Sequence, residues 1–223
     1  VKELNKLKTL SGKTMKLTSK KAFKVAKYLL EHPKTSQLEL SNKTDVALGY
    51  VNEIVNYLYD LNMVSKKSRA CVLDDPVRLL EKISFERPLK RLEAATFRLP
   101  TTFIRESEET IRNICQKKHV RYTLTVFSGL KRYYEYHISY PSVHAYVSDI
   151  SIGEQMEHGE GAIPITLLKP DRSDILNESN EINGFHVCDR IQIIVDLFSS
   201  GLGRDAAIKF LEVVQHGDHK DTG

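Results

Sequence analysis

Apolar residues recur at intervals of three and four from Leu48 through Val51, Ile54, Val55, Leu58 and Leu61, the spacing of one buried face of a helix. The opposite face carries Tyr50, Asn52, Glu53 and Asn56, and Gly49 leaves the start of the helix uncrowded. Residues 36–64, SQLELSNKTDVALGYVNEIVNYLYDLNMV, therefore predict a helix, a short turn and a second helix. An earlier helix is predicted over 20–32, where Phe23, Ala26, Tyr28, Leu29 and Leu30 supply apolar positions and Pro33 stops the run; Thr35 or Ser36 caps the helix that follows. After Met63 and Val64, the polar and basic stretch Ser65, Lys66, Lys67, Ser68, Arg69 separates that short apolar run from the next, 70–73, which is the pattern of a hairpin with a basic tip.

Helix, helix-turn-helix and basic hairpin in this order predict a winged helix-turn-helix and a duplex DNA partner. The N-terminal half of the 48–61 helix would enter the major groove, with the hairpin along the backbone. The residues expected at DNA are Lys43, Thr44, Ala47, Gly49, Tyr50, Asn52, Glu53 and Asn56 on the two helices, and Lys66, Lys67 and Arg69 on the hairpin. The plainer alternative, a helical hairpin whose polar face sits in water, leaves the basic turn unexplained.

From Pro76 the pattern changes to a mixed helical stretch broken at Pro88 and Pro100, which places a boundary near Val77. Beyond it, 107–118 predicts a helix with Ile111, Ile114 and Cys115 inward. Strands are predicted at 121–127, 133–138, 143–147 and 163–168, with a turn at Ser128-Gly129. The expected fold class is α+β: an N-terminal winged helix-turn-helix domain over 1–77, followed by a mixed α/β domain over 78–223 that ends in a polar tail from about His216. There is no internal repeat and no low-complexity segment.

Charge sharpens this division. Residues 1–80 hold 15 Lys and Arg against 8 Asp and Glu, whereas the remainder holds 18 against 21, within an overall formal charge of +4. A basic first third with an acidic remainder is what one phosphate-contacting unit beside a different unit would show. Three cysteines, Cys71, Cys115 and Cys188, are odd in number and far apart, so no disulfide framework is expected and a reducing cytoplasm fits. No apolar run approaches the ~18 residues of a membrane span, and the start VKELNKLKTLSGKTMK lacks the apolar centre of a secretion signal.

The stretch 185–214, FHVCDRIQIIVDLFSSGLGRDAAIKFLEVV, predicts a short strand, a helix, a tight glycine turn and another helix. It resembles the end of the AbiEi family of type IV antitoxin transcriptional regulators, which close with a strand, a helix ending in Asp-Leu and a Gly-Arg turn before an Ala-rich helix. The matching positions are Gln192, Asp196, Leu197, Gly203, Arg204, Ala206 and Ala207, with Asp196, Gly203 and Arg204 as the structural motif. The order of the N-terminal elements and of the segment 74–83, DDPVRLLEKI, agrees with that family, while 154–161 matches nothing in it. The resemblance implies a repressor of its own operon, paired in function with a nucleotidyltransferase-like toxin that it need not touch. Binding as a homodimer to a palindrome and binding as monomers to repeated half-sites are both compatible with the sequence.

Other readings stay beside this one. A regulator of the same architecture could sense a ligand through Tyr133, Tyr134, Tyr136 and Tyr140 and have no toxin partner. A nuclease or phosphoryl-transfer domain delivered to DNA would want paired carboxylates, for which Asp149 and Glu154 are the nearest candidates, but no suitably placed lysine follows them. The turn Ser200–Arg204 lacks the spacing of a phosphate-binding loop; a structural turn is expected, with Arg204 pairing Asp196 or capping a neighbour. Cys115 with His119, and His186 with Cys188, have spacings a metal could use, but two dispersed pairs make a weak set. The expectation is a non-enzymatic regulator without metal or cofactor.

Overall fold

A computed structural model describes residues 15–68, 70–135, 140 and 142–217. The first helix, α1 (Lys20–Glu31), buries Ala22, Phe23, Val25, Ala26, Leu29 and Leu30 along one stripe. After the short strand β1 (Lys34–Thr35), the Ser36 hydroxyl accepts the Glu39 backbone N–H at 3.1 Å and starts α2 (Gln37–Thr44). Asp45, in the left-handed region at φ 54°, turns the chain into α3 (Leu48–Asp60), which buries Val51, Ile54, Val55 and Leu58. The hairpin β2 (Val64–Lys67) and β3 (Ala70–Leu73) follows, with Lys67 opposite Ala70 at its tip, and β1 pairs antiparallel with β3. The result is a three-stranded sheet in the order β1-β3-β2 against a group of three helices.

Helix α4 (Pro76–Glu86) begins with proline at its first position and the Asp75 carboxylate accepting the Arg78 N–H at 2.9 Å. Val77 thus lies inside a continuous helix that packs on a later helix near the C-terminus. A 3-10 turn (Leu89–Leu92), β4 (Glu93–Arg98), α5 (Ile104–Lys117), β5 (Tyr122–Thr125), α6 (Val126–Tyr133) and β6 (Val143–Val147) come next. They are followed by a 3-10 helix (Ile150–Gln155), β7 (Pro164–Leu168), α7 (Asp174–Asn177) and the hairpin β8 (Asn180–Ile182) and β9 (Phe185–Val187). The chain closes with α8 (Arg190–Ser200) and α9 (Arg204–Gly217). One mixed sheet in the order β4-β7-β6-β5-β9-β8 runs through this part; β6 and β7 are parallel, as are β5 and β9. The protein is α+β in class. Among the described residues no helix is long and apolar enough to cross a membrane.

Several local expectations change here. The strand expected over 121–127 stops at Thr125, because Val126 takes φ 54° and turns the chain sharply into α6. A β-branched residue in that region is strained, and its complete burial supplies the packing that holds it. Ser128-Gly129, expected as a turn, lies inside α6. A Cβ there would stand 2.9 Å from Ile193 Cδ1 and 3.1 Å from the Leu124 carbonyl oxygen, so glycine lets α6 and α8 approach closely at this point. The strand expected over 133–138 does not start at Tyr133, which ends α6, and 136–139 lie outside the described residues. The tail expected from His216 begins later, since α9 continues to Gly217, and 218–223 lie outside the described residues.

Helix α8 is the centre of the packing. Ile191, Gln192, Ile193, Ile194, Val195, Asp196, Leu197 and Phe198 are all buried, so this helix has no solvent face along most of its length. Contacts also join α1 to the start of α8, to α9 and to the segment after α7. Lys27 lies 2.8 Å from Asp189 and 3.3 Å from Glu178, Arg190 bonds Glu31 at 3.0 Å, and the Gln215 amide donates to the Leu30 carbonyl at 2.7 Å.

Candidate nucleic-acid interface

The start of α3 has no side-chain cap. Ala47 precedes it with no side-chain hydrogen bond to the first turn, and that turn has no acidic residue. Its first N–H groups, with the positive end of the helix dipole, thus face outward uncompensated by side chains. Gly49 is exposed at this end, has no positive φ, and a Cβ added to it would meet nothing within 4 Å. Nothing in the fold requires glycine here, although glycine costs a helix interior about 1 kcal/mol relative to alanine. The position is instead open to a close approach from outside.

Around that point, α2, α3 and the hairpin enclose a groove of about 780 Å³, lined in part by Ser36, Leu38, Leu48, Asn52, Lys66 and Ala70. Asn52 and Glu53 are exposed, and Lys67 is exposed on the hairpin. Lys66 bonds the Asn56 side-chain oxygen and lies 4.7 Å from the centre of the Tyr59 ring, which ties the hairpin to α3. Lys43 and Ala47 are exposed beside the turn. The groove thus joins Leu48, Gly49 and Asn52 of α3 to Lys66 of the hairpin.

Three expected contacts are revised by their surroundings. Thr44 is buried, and its hydroxyl donates to the Leu40 carbonyl at 2.5 Å, so it finishes α2 and cannot reach outward. Tyr50 is half-buried against the core, and its ring is not on the open face of α3. Asn56 is half-buried and already holds Lys66. Arg69 lies outside the described residues. Conversely, Leu48 was expected in the buried stripe, but it is 46 % exposed, as Leu38 is at 60 %. The apolar spacing of α3 runs off the core at its first turn, and an exposed leucine at the groove wall gives no sequence signal of its own.

The other candidate constellations are used up internally. Arg204 pairs with Glu81 and stacks over Phe198 at 4.7 Å, so it does not pair with Asp196. Gly201 is left-handed at φ 72°, and a Cβ on Gly203 would sit 2.6 Å from Leu197, which makes Ser200–Arg204 a packed turn. Asp196 is fully buried and accepts from Arg87 at 2.8 Å, Gln192 at 2.8 Å, Tyr146 at 3.0 Å and Thr125 at 2.7 Å. Burial, with Asp196 next to it, pushes the Tyr146 hydroxyl well above its ordinary pKa. Burial would raise the Asp171 carboxyl, but the hydrogen bonds and charge of Arg87 outweigh it and hold that group below its usual value.

Asp149 accepts the Ser151 N–H at 2.9 Å and is exposed, as is Glu154, and the two do not converge on a cation. Among the described residues no group of three or more His, Cys, Asp or Glu side chains could hold a metal. Cys115, His119 and His186 do share a cleft of about 430 Å³, but burial pushes the Cys115 thiol up to about 12. The tyrosines expected to share a surface diverge. Tyr133 and Tyr134 pack toward Phe210, Tyr140 donates to buried Glu108 at 3.0 Å, and Tyr136 lies outside the described residues.

No protein-family model, curated protein or solved structure matches this chain.

Proposed function

We propose that residues 15–75 are a winged helix-turn-helix, that α3 reads duplex DNA in the major groove, and that the protein is a sequence-specific transcriptional regulator. The observation that carries this reading is the open end of α3. Leu48, Gly49, Asn52 and Glu53 are exposed there, next to a basic hairpin that Lys66 ties to the same helix. The helix sequence LGYVNEIVNYLYD contains no Lys or Arg, so the bidentate arginine contact to guanine is absent from its repertoire. Asn52 suits the N6 and N7 edge of adenine, and Leu48, one turn earlier on the same side, suits the methyl group of thymine. The preferred site therefore includes an A·T pair opposite Asn52, and Glu53 beside it suits the N4 amino group of cytosine.

Thr44 has no part in this interface, and Lys66 serves it by positioning the hairpin, which leaves Lys67, among the described residues of the hairpin, free for a phosphate contact, with Lys43 exposed nearby. The AbiEi-type antitoxin character of the regulator, with autorepression and a toxin acting in the same operon, rests on the resemblance of 185–214 and goes no further than that resemblance.

A salt-titrated binding assay of the full chain tests the reading, using DNA from upstream of its own gene against a scrambled competitor. Tight binding that survives the competitor is the expected result. Equal, weak and steeply salt-dependent binding to both duplexes would reduce the basic part to a non-specific tether.

A further inference from the structure

A second recess lies between the N-terminal elements and the six-stranded sheet. It is a cleft of about 480 Å³ formed by the residues leading into α1, the end of α4, the 3-10 turn after it and the loop before α7. Five cationic residues line it, Lys16, Lys20, Arg87, Arg91 and Arg172, against the three carboxylates Glu86, Asp171 and Asp174.

These carboxylates are already engaged. Glu86 accepts from the Thr18 N–H at 3.1 Å and pairs with Lys82 at 3.4 Å; Asp171 is held by Arg87 at 2.9 Å; Asp174 lies 3.8 Å from Arg172. Among the described residues Lys16, Lys20 and Arg91 have no carboxylate partner, although all three are at the cleft. Asp174 Oδ1, on one of the lining residues, is buried without a hydrogen-bond partner, while Arg172 Nε faces the other oxygen of the same carboxylate. A buried acceptor left open is costly unless something supplies a donor. Burial lowers the Arg172 pKa, Asp171 counters this, and the charge of Arg87 adds to the lowering. The cleft is locally short of negative charge.

We propose that this cleft binds a small phosphate ester that carries free hydroxyl groups. Its phosphate lies among Lys16, Lys20 and Arg91, beside an Arg172 guanidinium that Asp171, Gln192 and the Phe23 ring already hold, and a hydroxyl donates toward Asp174. The volume falls within the ~300–1,000 Å³ usual for small-molecule sites. The recess is lined by both parts of the molecule, so an occupant joins them. A ligand that touches both parts favours whichever arrangement it fits, and this gives the chain a place for a metabolite signal independent of how DNA is bound.

Calorimetric titration of the full chain with ribose 5-phosphate, and separately with inorganic phosphate and ribose, at constant ionic strength, tests the assignment. The ester is expected to bind more tightly than inorganic phosphate, and ribose not at all. K16A/K20A/R91A should weaken the ester by roughly ten-fold or more without lowering the melting temperature, because none of the three side chains has an internal partner to lose. No binding, binding that survives the triple substitution, or inorganic phosphate bound as tightly as the ester would each overturn it. A smaller salt dependence of duplex binding in the triple variant would overturn it too, since the cations would then be serving the DNA backbone.

Discussion

The open end of α3 and the surroundings of α8 are both rich in polar residues, yet they differ in what those residues have left to do. Around α8, Asp196 accepts from four side chains, and its donors Arg87, Gln192 and Tyr146 are themselves buried. On α3, Asn52 and Glu53 have no hydrogen bond within the described residues and stand in solvent beside a glycine the fold does not need. The first arrangement is the way a buried charge becomes tolerable, by complete satisfaction. The second leaves donors and acceptors free for a partner. Residue type alone does not separate the two regions; partnership does.

The sharpest way to break this contrast is to remove the acceptor at its closed end. Asp196→Ala removes the buried acceptor shared by Arg87, Gln192, Tyr146 and Thr125 and leaves Arg87 with Asp171 as its one carboxylate among the described residues. Loss of one partner of a buried pair costs about 3–5 kcal/mol. Urea unfolding should show that loss, and an unchanged midpoint would mean the network carries no net stability. Next in size is an acid effect within the same sheet. Burial holds the His144 pKa down to about 4 from 6.5, so the fold favours its neutral form. The stability this contributes is complete above pH 6.5 and is lost as the pH falls toward 4, about 3 kcal/mol in all. His144→Gln should flatten the stability profile across that window, whereas a slope that persists in the variant would place the acid sensitivity elsewhere.

At the open end the effects concern recognition more than folding. Asn52→Ala should cost about 1–3 kcal/mol of discrimination at one A·T pair with the melting temperature unchanged, read by competition between the preferred duplex and one altered at that pair. Gly49→Ala sharpens the comparison most, because the two regions predict opposite signs for one substitution. Alanine meets nothing in the chain and should stabilise it by up to about 1 kcal/mol, while its methyl group weakens the contact with DNA. A variant both more stable and unimpaired in binding would remove Gly49 from the interface. Lys67→Ala is the smallest change: binding to all duplexes should weaken alike, and the salt slope should fall by about one.

Much of the architecture could be read from local pattern. The stripe Val51, Ile54, Val55, Leu58, the cap at Ser36, the hairpin around Lys66 and Lys67 and the glycine turn after α8 each depend on signals only a few residues apart. The β8–β9 hairpin also had such a signal: Asn183-Gly184, both at positive φ, joins Asn180–Ile182 to Phe185–Val187. The missed features depend on distant partners. Gly129 looked like a turn because its reason for being glycine is Ile193, on another helix. Asp196 was paired in expectation with Arg204 nearby, but its partner Arg87 comes from the end of α4. Thr44 and Leu48 changed places for a related reason. A threonine in the last helical turn satisfies a carbonyl of its own helix, while a leucine in the first turn of α3 lies beyond the edge of the core.

The sequence by itself determined where α1, α2 and α3 start and stop, which face of α3 is apolar and where the basic hairpin lies, because capping, periodicity and turn chemistry act over a few residues. Only the tertiary structure decided which polar groups are spent and which are free. Satisfying a buried donor or acceptor takes partners brought in from distant parts of the chain, as Arg87 is to Asp196 and Asp171, and the same folding leaves Asn52 and, at the second cleft, Lys16, Lys20 and Arg91 without any among the described residues.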